Sequence, residues 1–114
     1  DLTGDWSSDV CSSDLALGSL DALAAIAPPA KGKFSLLLDG GIRRGSDIVK
    51  ALALGADAVL LGRSTLYGVA VAGEAGAGRA LDVLTEELAR TMNLMGCTHL
   101  NHLDRDSVFE RRRT

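Results

Sequence analysis

No stretch of this 114-residue chain is apolar for long enough to cross a bilayer, and no secretory signal is visible. Cysteine is nearly absent: Cys11 and Cys97 are the only two, which excludes the disulfide-stapled scaffold of a small secreted domain. Histidine is as scarce. His99 and His102 have no Cys or carboxylate in a ligand pattern around them, so no metal site is expected. Excess charge is missing too, with 12 basic residues against 15 acidic ones. Such a balance creates no field that would gather nucleic acid or an anionic membrane.

The first residues stand apart from the rest. Asp5–Leu15, DWSSDVCSSDL, has no usable apolar period, five residues of Ser or Cys, and the lone Trp6. The string resembles the in-frame translation of a short-read sequencing adapter; a natural polar linker is the alternative. Residues 1–15 are therefore read as an artefactual or disordered leader and kept out of the fold argument. Without Asp1, Asp5, Asp9 and Asp14 the balance becomes 12 basic to 11 acidic residues, so the acidity belongs to the leader. Cys97 is then the single thiol, which suits a reducing compartment.

What remains alternates between helical and strand patterns. Leu20, Leu23 and Ile26 set a helical register over Ala16–Ala27, which Pro28 and Pro29 are expected to end. Phe34–Leu38 reads as a strand and Asp47–Leu54 as a helix with Ser46 at its N-cap and Gly55 after its end. Ala58–Leu61 reads as a second strand. A looser segment through Tyr67 and Gly73 leads to a helix over Ala77–Met95, striped by Leu81, Leu84, Leu88, Met92 and Met95 and closed by Gly96. Glu86 and Arg90 sit one turn apart on its opposite face, in the favourable order.

This order is the signature of a parallel α/β fold. Two parallel strands, apolar on both faces, cannot enclose a core. Each uncovered Val or Leu forfeits roughly 1.5–3 kcal/mol, and a whole domain keeps only about 5–15 kcal/mol of net stability. Four or five such side chains would exhaust it. The pattern predicts the end of a larger barrel.

Two cassettes carry the chemistry: LLLDGGIRRG at Leu36–Gly45 and AVLLGR at Ala58–Arg63. Each is a branched apolar run stopped by Gly and followed by Arg. Glycines at strand ends leave backbone N–H groups unshielded, and the arginines add planar donors that match phosphate oxygens, so the pair reads as a phosphate socket. Gly40-Gly41 alone would be an ordinary strand-to-helix turn; the second Gly-Arg pair sharpens it. Arg44 is expected at the surface, Asp47 and Lys50 at a solvated helix start, Tyr67 in packing or a subunit contact, and Cys97 as an inert packed thiol. Arg111–Arg113 belongs to a frayed tail, residues 108–114.

LLLDGGIRRGSDIVKALALGADAVLLGRSTLYG, followed by GEAG and an ELARTMNLMGC helix, closely resembles the C-terminal quarter of the FMN-dependent α-hydroxy-acid dehydrogenase/oxidase family, which includes glycolate oxidase, L-lactate dehydrogenase and mandelate dehydrogenase. The likeness runs from about Ser19 to Ser107, and residues 16–107 are read as a partial barrel of that family. It implies the C-terminal part of a (β/α)8 TIM barrel, with the two strands as the seventh and eighth; such barrels often hold phosphate with the loops after those strands. It also implies FMN as cofactor. Asp39 would accept from the ribityl hydroxyls, Gly41 and Arg43 would donate to the phosphate, Gly40 and Ile42 would shape the turn, and Gly62 and Arg63 would close from the other side. The parent would oxidise a small L-2-hydroxy acid to the 2-oxo acid by hydride transfer to flavin. It would be a homo-oligomer, a tetramer by family habit, and cytoplasmic, or membrane-associated where a relative carries an added segment.

One departure is decisive. The family draws its proton with a histidine of an HGGR motif whose arginine holds the substrate carboxylate. By the family's spacing that motif falls in or near Ser7–Leu15, where this chain reads SSDVCSSDL, and no histidine or arginine precedes Lys31. No catalytic residue is therefore assigned, and the chain alone is expected to be inactive. Two alternatives share parts of the pattern. Inosine monophosphate dehydrogenase and type 2 isopentenyl-diphosphate isomerase also hold phosphates on related barrels, although GRSTLYG, GEAG and TMNLMGC suit the hydroxy-acid enzymes better. The other alternative is a non-catalytic phosphate-binding or interaction module.

Overall fold

A computed structural model describes residues 17–111; residues 1–16, with the expected leader and its Trp6 and Cys11, and residues 112–114 lie outside them. Five elements follow in order: α1 (Ser19–Ala30), β1 (Leu37–Leu38), α2 (Gly45–Ala53), β2 (Ala58–Val59) and α3 (Arg63–Met95). Two short 3-10 turns, Leu100–His102 and Arg105–Ser107, come after α3.

The two strands pair in parallel, Leu37 with Ala58 and Leu38 with Val59. Both are shorter than expected, yet the ladder reaches past them at either end. Asp57 N donates to Leu36 O at 2.8 Å and Leu60 N to Leu38 O at 2.8 Å. Asp57 also turns its carboxylate back to accept from Leu36 N at 2.7 Å, starting the pairing with a side chain where no backbone partner is available. Leu38 and Ile42 are buried with Leu23 and Ala27 of α1, Ala51 of α2, and Ala56. The alanines matter: small side chains let both helices lie close on the strand pair. A second cluster joins Val49 and Ala53 of α2 to Leu103, with Leu88 and Met92 of α3 packed against it.

Three expectations need correction. Pro28 and Pro29 lie inside α1, which runs to Ala30. A proline has no N–H to give the carbonyl four residues back, so Pro28 frees that of Ala24. The gap is filled from a distance, by Arg105 Nη1 at 3.3 Å, and Lys31 N still reaches Ala27 O at 3.0 Å. Prolines in a last turn thus cost the helix little. The segment through Tyr67 is helical, because α3 starts at Arg63, but it breaks where Ala72 (φ −148°) and Gly73 (φ 59°) leave helical geometry. There the chain doubles back, bringing Gly68 against Gly76; a Cβ on either would strike the other's backbone. Finally, Glu86 pairs with Arg79 at 3.2 Å, both exposed, in place of Arg90. Such a pair contributes little.

Other signals hold. Gly96 closes α3 in the left-handed region (φ 71°), and Cys97 N returns to Met92 O at 2.9 Å. Of the α3 stripe, Leu84 is buried, Leu88 and Met92 are half-buried, and Leu81 and Met95 are exposed. Gly55, just past α2, has φ 111°, and an added Cβ would sit 2.8 Å from that of Ala27. Gly32 has φ 79° but open space around it. Gly55→Ala should therefore destabilise the chain by about 2 kcal/mol or more, the backbone share being roughly 1–2 kcal/mol, whereas Gly32→Ala should lose the backbone share alone. Urea unfolding followed by circular dichroism ranks the two, and equal losses would contradict the packing argument.

Candidate functional site

Because the strands run parallel and in register, the loops that leave them emerge on the same edge. The first carries Asp39, Gly40, Gly41, Ile42 and Arg43 into α2; the second carries Gly62 and Arg63 into α3. Gly40 (φ 96°) and Gly41 (φ 78°) turn the first loop through conformations that favour glycine. Beta carbons built on Gly40 or Gly62 would meet open space, so the backbone there can be approached closely. Ile42 is the exception in the loop: its side chain is buried and pins the turn to the core.

The loops are tied to one another. Ser64 Oγ donates to Ile42 O at 2.9 Å, which fixes the start of α3 beside the Ile42–Arg43 peptide. On the other flank Ser19 Oγ donates to Gly40 O at 3.1 Å. Asp47 Oδ2 accepts from Arg43 N at 3.1 Å and Arg44 N at 3.0 Å. The expected Ser46 cap is thus replaced: Arg44 stands at the N-cap, and Asp47, three residues on, supplies the oxygen. Glu87 Oε2 accepts from Gly45 N at 2.8 Å, and Gly45 has no room for a Cβ against the backbone of Glu87 and Leu88. The head of α2 is therefore clamped to α3 by contact and by charge.

Several donors are left over. The N-cap of α3, Gly62, offers no side-chain hydrogen bond, and the N–H groups of Arg63 and Ser64 have no acceptor among the described residues. Gly41 N is likewise free among them. The guanidinium groups of Arg43 and Arg63 are exposed and make no ion pair with a described residue. Asp39 is exposed, and its carboxylate accepts no hydrogen bond from a described residue. The two loops thus bring one exposed acceptor, free amides, a helix N-terminus and two exposed arginines to the same edge of the strand pair, and amides and guanidinium groups of this kind donate well to phosphate oxygens.

Sequence reasoning missed three contributors: Ser19, Ser64 and Glu87. Asp47 and Lys50, taken as a solvated helix start, do pair loosely at 3.8 Å, but the capping role of Asp47 is the larger one. The position of Asp47 two residues after Gly45 is the signal that could have found it. Ser64 follows the second Gly-Arg pair directly and carries no such pattern. Tyr67 is 65% exposed, so it packs against none of the described core. His99 and His102 belong to the far end, where Leu100, Leu103 and Arg105 line a cavity with Leu36 and Gly55, residues that precede or begin the strands. Neither can serve the rim. No group of three or more metal-ligating side chains occurs among the described residues.

Ser64→Ala should separate the two loops. A net loss of about 1 kcal/mol in stability is expected for one neutral hydrogen bond, with faster amide exchange at Arg43 and no change in the core amides of α2. Unchanged exchange at Arg43 would show that the tie does not hold the loop.

Comparison with known proteins identifies the scaffold. The model of the FMN-dependent dehydrogenase family matches residues 12–110. The L-lactate oxidase of Nostoc sp. is 53% identical over 91 residues, covering 80% of this chain and 25% of that protein. Human 2-hydroxyacid oxidase 2 is 44% identical over 95 residues, covering 83% and 27%. The solved structure of a soluble mutant of the membrane-associated (S)-mandelate dehydrogenase from Pseudomonas putida superposes with a TM-score of 0.76 at 48% identity, over 82% of this chain and 26% of that one. The chain spans about a quarter of the length of the curated relatives it matches. No helix among the described residues is long and apolar enough to cross a membrane. With this match over nearly all the described residues, the chain belongs to the FMN-dependent dehydrogenase family, whose (β/α)8 barrel it represents by its seventh and eighth strands and their helices.

Proposed function

We propose that this chain forms the ribityl- and phosphate-holding wall of an FMN site in an enzyme that oxidises an L-2-hydroxy acid of lactate, mandelate or glycolate type. The observation that carries the reading is the Ser64–Ile42 hydrogen bond, which joins the two Gly-Arg loops at one rim. Asp39 accepts from the ribityl hydroxyls. Gly41 N and the guanidinium of Arg43 donate to the phosphate from one side, with Gly40 and Ile42 setting the turn. Gly62 and Arg63, with the first amides of α3, donate from the other. A charge-assisted hydrogen bond contributes roughly 1.5–3 kcal/mol and the helix terminus at most about 1 kcal/mol, so the arginines dominate the anchoring. When bound, FMN supplies the hydride acceptor that turns the hydroxy acid into the 2-oxo acid.

The proton of the α-hydroxyl needs a base, and this chain assigns none. His99 and His102 are its only histidines, and they belong to the end opposite the rim. The whole parent enzyme is taken to be a cytoplasmic homo-oligomer, a tetramer by family habit, with membrane association, as in the mandelate dehydrogenase named above, as the alternative. The matched family is one of FMN-dependent dehydrogenases and the similar proteins named above act on hydroxy acids, which favours this reading over the nucleotide dehydrogenase and isomerase alternatives.

The test is a titration of the chain with FMN, inosine monophosphate and inorganic phosphate, followed by flavin fluorescence and phosphorus NMR. FMN should bind more tightly than either of the others, and Arg43→Ala or Arg63→Ala should each weaken it by about tenfold, a value reduced for solvent exposure. Equal binding of FMN by the double variant would refute the assignment. The chain alone should show no dye reduction with lactate, glycolate or mandelate; measurable turnover would contradict the absence of a base.

A further inference from the structure

Glu87 stands apart from the other groups that organise the rim. Ser19, Asp47 and Ser64 each belong to the first turn of a helix that starts there. Glu87 comes from the far arm of α3, 42 residues from the Gly45 amide that it accepts. The contact is crowded: Gly45 is buried and Glu87 half-buried, and a Cβ on Gly45 would strike the backbone of Glu87 and Leu88. A buried N–H left without an acceptor is costly, so Gly45 needs this carboxylate. No cation pairs with Glu87 among the described residues.

The two helices that leave the Gly-Arg loops have unlike heads. At α2, Asp47 takes the amides of Arg43 and Arg44 and Glu87 takes that of Gly45. Three successive N–H groups are thus occupied by two carboxylates. Lys50, 3.8 Å from Asp47 Oδ1, offsets one of these charges; the other stands uncompensated. At α3 there is no acidic residue in the first turn and no side-chain cap, and the amides of Arg63 and Ser64 are free among the described residues. An anion is drawn to a helix N-terminus with open amides and repelled from one already held by carboxylates. We infer that Glu87 is a positioning residue of the phosphate site. By holding Gly45 N it fixes the head of α2 behind Arg43 and closes that head to anions, so phosphate is confined to the head of α3. The Ser64–Ile42 bond keeps the Arg43 loop beside that head. The inference rests on the phosphate-holding role proposed above and names what directs the anion within it.

The experiment titrates the full chain with inorganic phosphate and then with FMN, following the amide chemical shifts of Gly45, Ser46, Arg63 and Ser64. In the unaltered chain Arg63 and Ser64 should shift, and Gly45 and Ser46 should not. Glu87→Ala should make the Gly45 amide exchange about tenfold faster and let phosphate shift it. The same variant should bind FMN about tenfold more weakly, with the amides of Val49 and Ala51 unchanged. Glu87→Gln keeps an oxygen for Gly45 N and should restore both the slow exchange and the affinity, a rescue foreign to a loss of packing. Glu86→Ala, on the exposed pair with Arg79, should alter neither. Should the alanine variant fail to fold, the shifts of the unaltered chain and the glutamine variant decide. Phosphate shifts at Gly45 in the unaltered chain, undiminished FMN binding by Glu87→Ala, or a glutamine variant as weak as the alanine one would each overturn the inference. Phosphate shifts at Arg63 and Ser64 without FMN binding would uphold it and count against the flavin reading alone. No shift at any of these amides with either ligand would overturn both.

Discussion

Parallel pairing of Leu37–Leu38 with Ala58–Val59 is the constraint from which the rest follows. An antiparallel pair of the same sequences would send the two Gly-Arg loops to opposite ends. Parallel alignment sends both to one rim, and the bond from Leu60 N to Leu38 O carries the register up to the point where the loops begin. A slip by one residue would turn Leu38 outward and Leu37 inward, exchanging the covered face for the open one. Core burial and the position of the arginines are thus set together.

Holding the rim takes more than strands. Asp47 gathers the amides of Arg43 and Arg44, Glu87 takes that of Gly45, and Ser64 binds one loop to the other. Each of these acceptors or donors uses up a backbone group that could otherwise compete for a ligand. Those left over, at Gly41 and at the head of α3, share the rim with the exposed arginines. The site is defined as much by which amides are already satisfied as by which are free.

Much of this was legible in the sequence, and the misses have physical causes. Strand positions, α2, Gly55 and Gly96 were readable because apolar runs and glycine stops are local signals. The two Gly-Arg loops were readable as a pair because residue type and chemistry coincide. The last turn of α1 was not, since Ala24 is satisfied by Arg105, 81 residues away. Helicity through Tyr67 was hidden by glycines that weaken the local preference; Gly68 and Gly76 earn their place only when the two arms of α3 cross. Ser64 and Glu87 act across 22 and 42 residues, beyond any periodic pattern.

The reach of Arg105 to Ala24 has a further meaning. It latches the stretch that follows α3 onto the first helix, near the end where the strands begin, away from the glycine-lined rim. One end of the unit is spent on cohesion and the other is left free for chemistry. Substitutions that retune what the rim recognises can therefore accumulate without loosening the latch, the division of labour that lets one barrel architecture serve many catalysts.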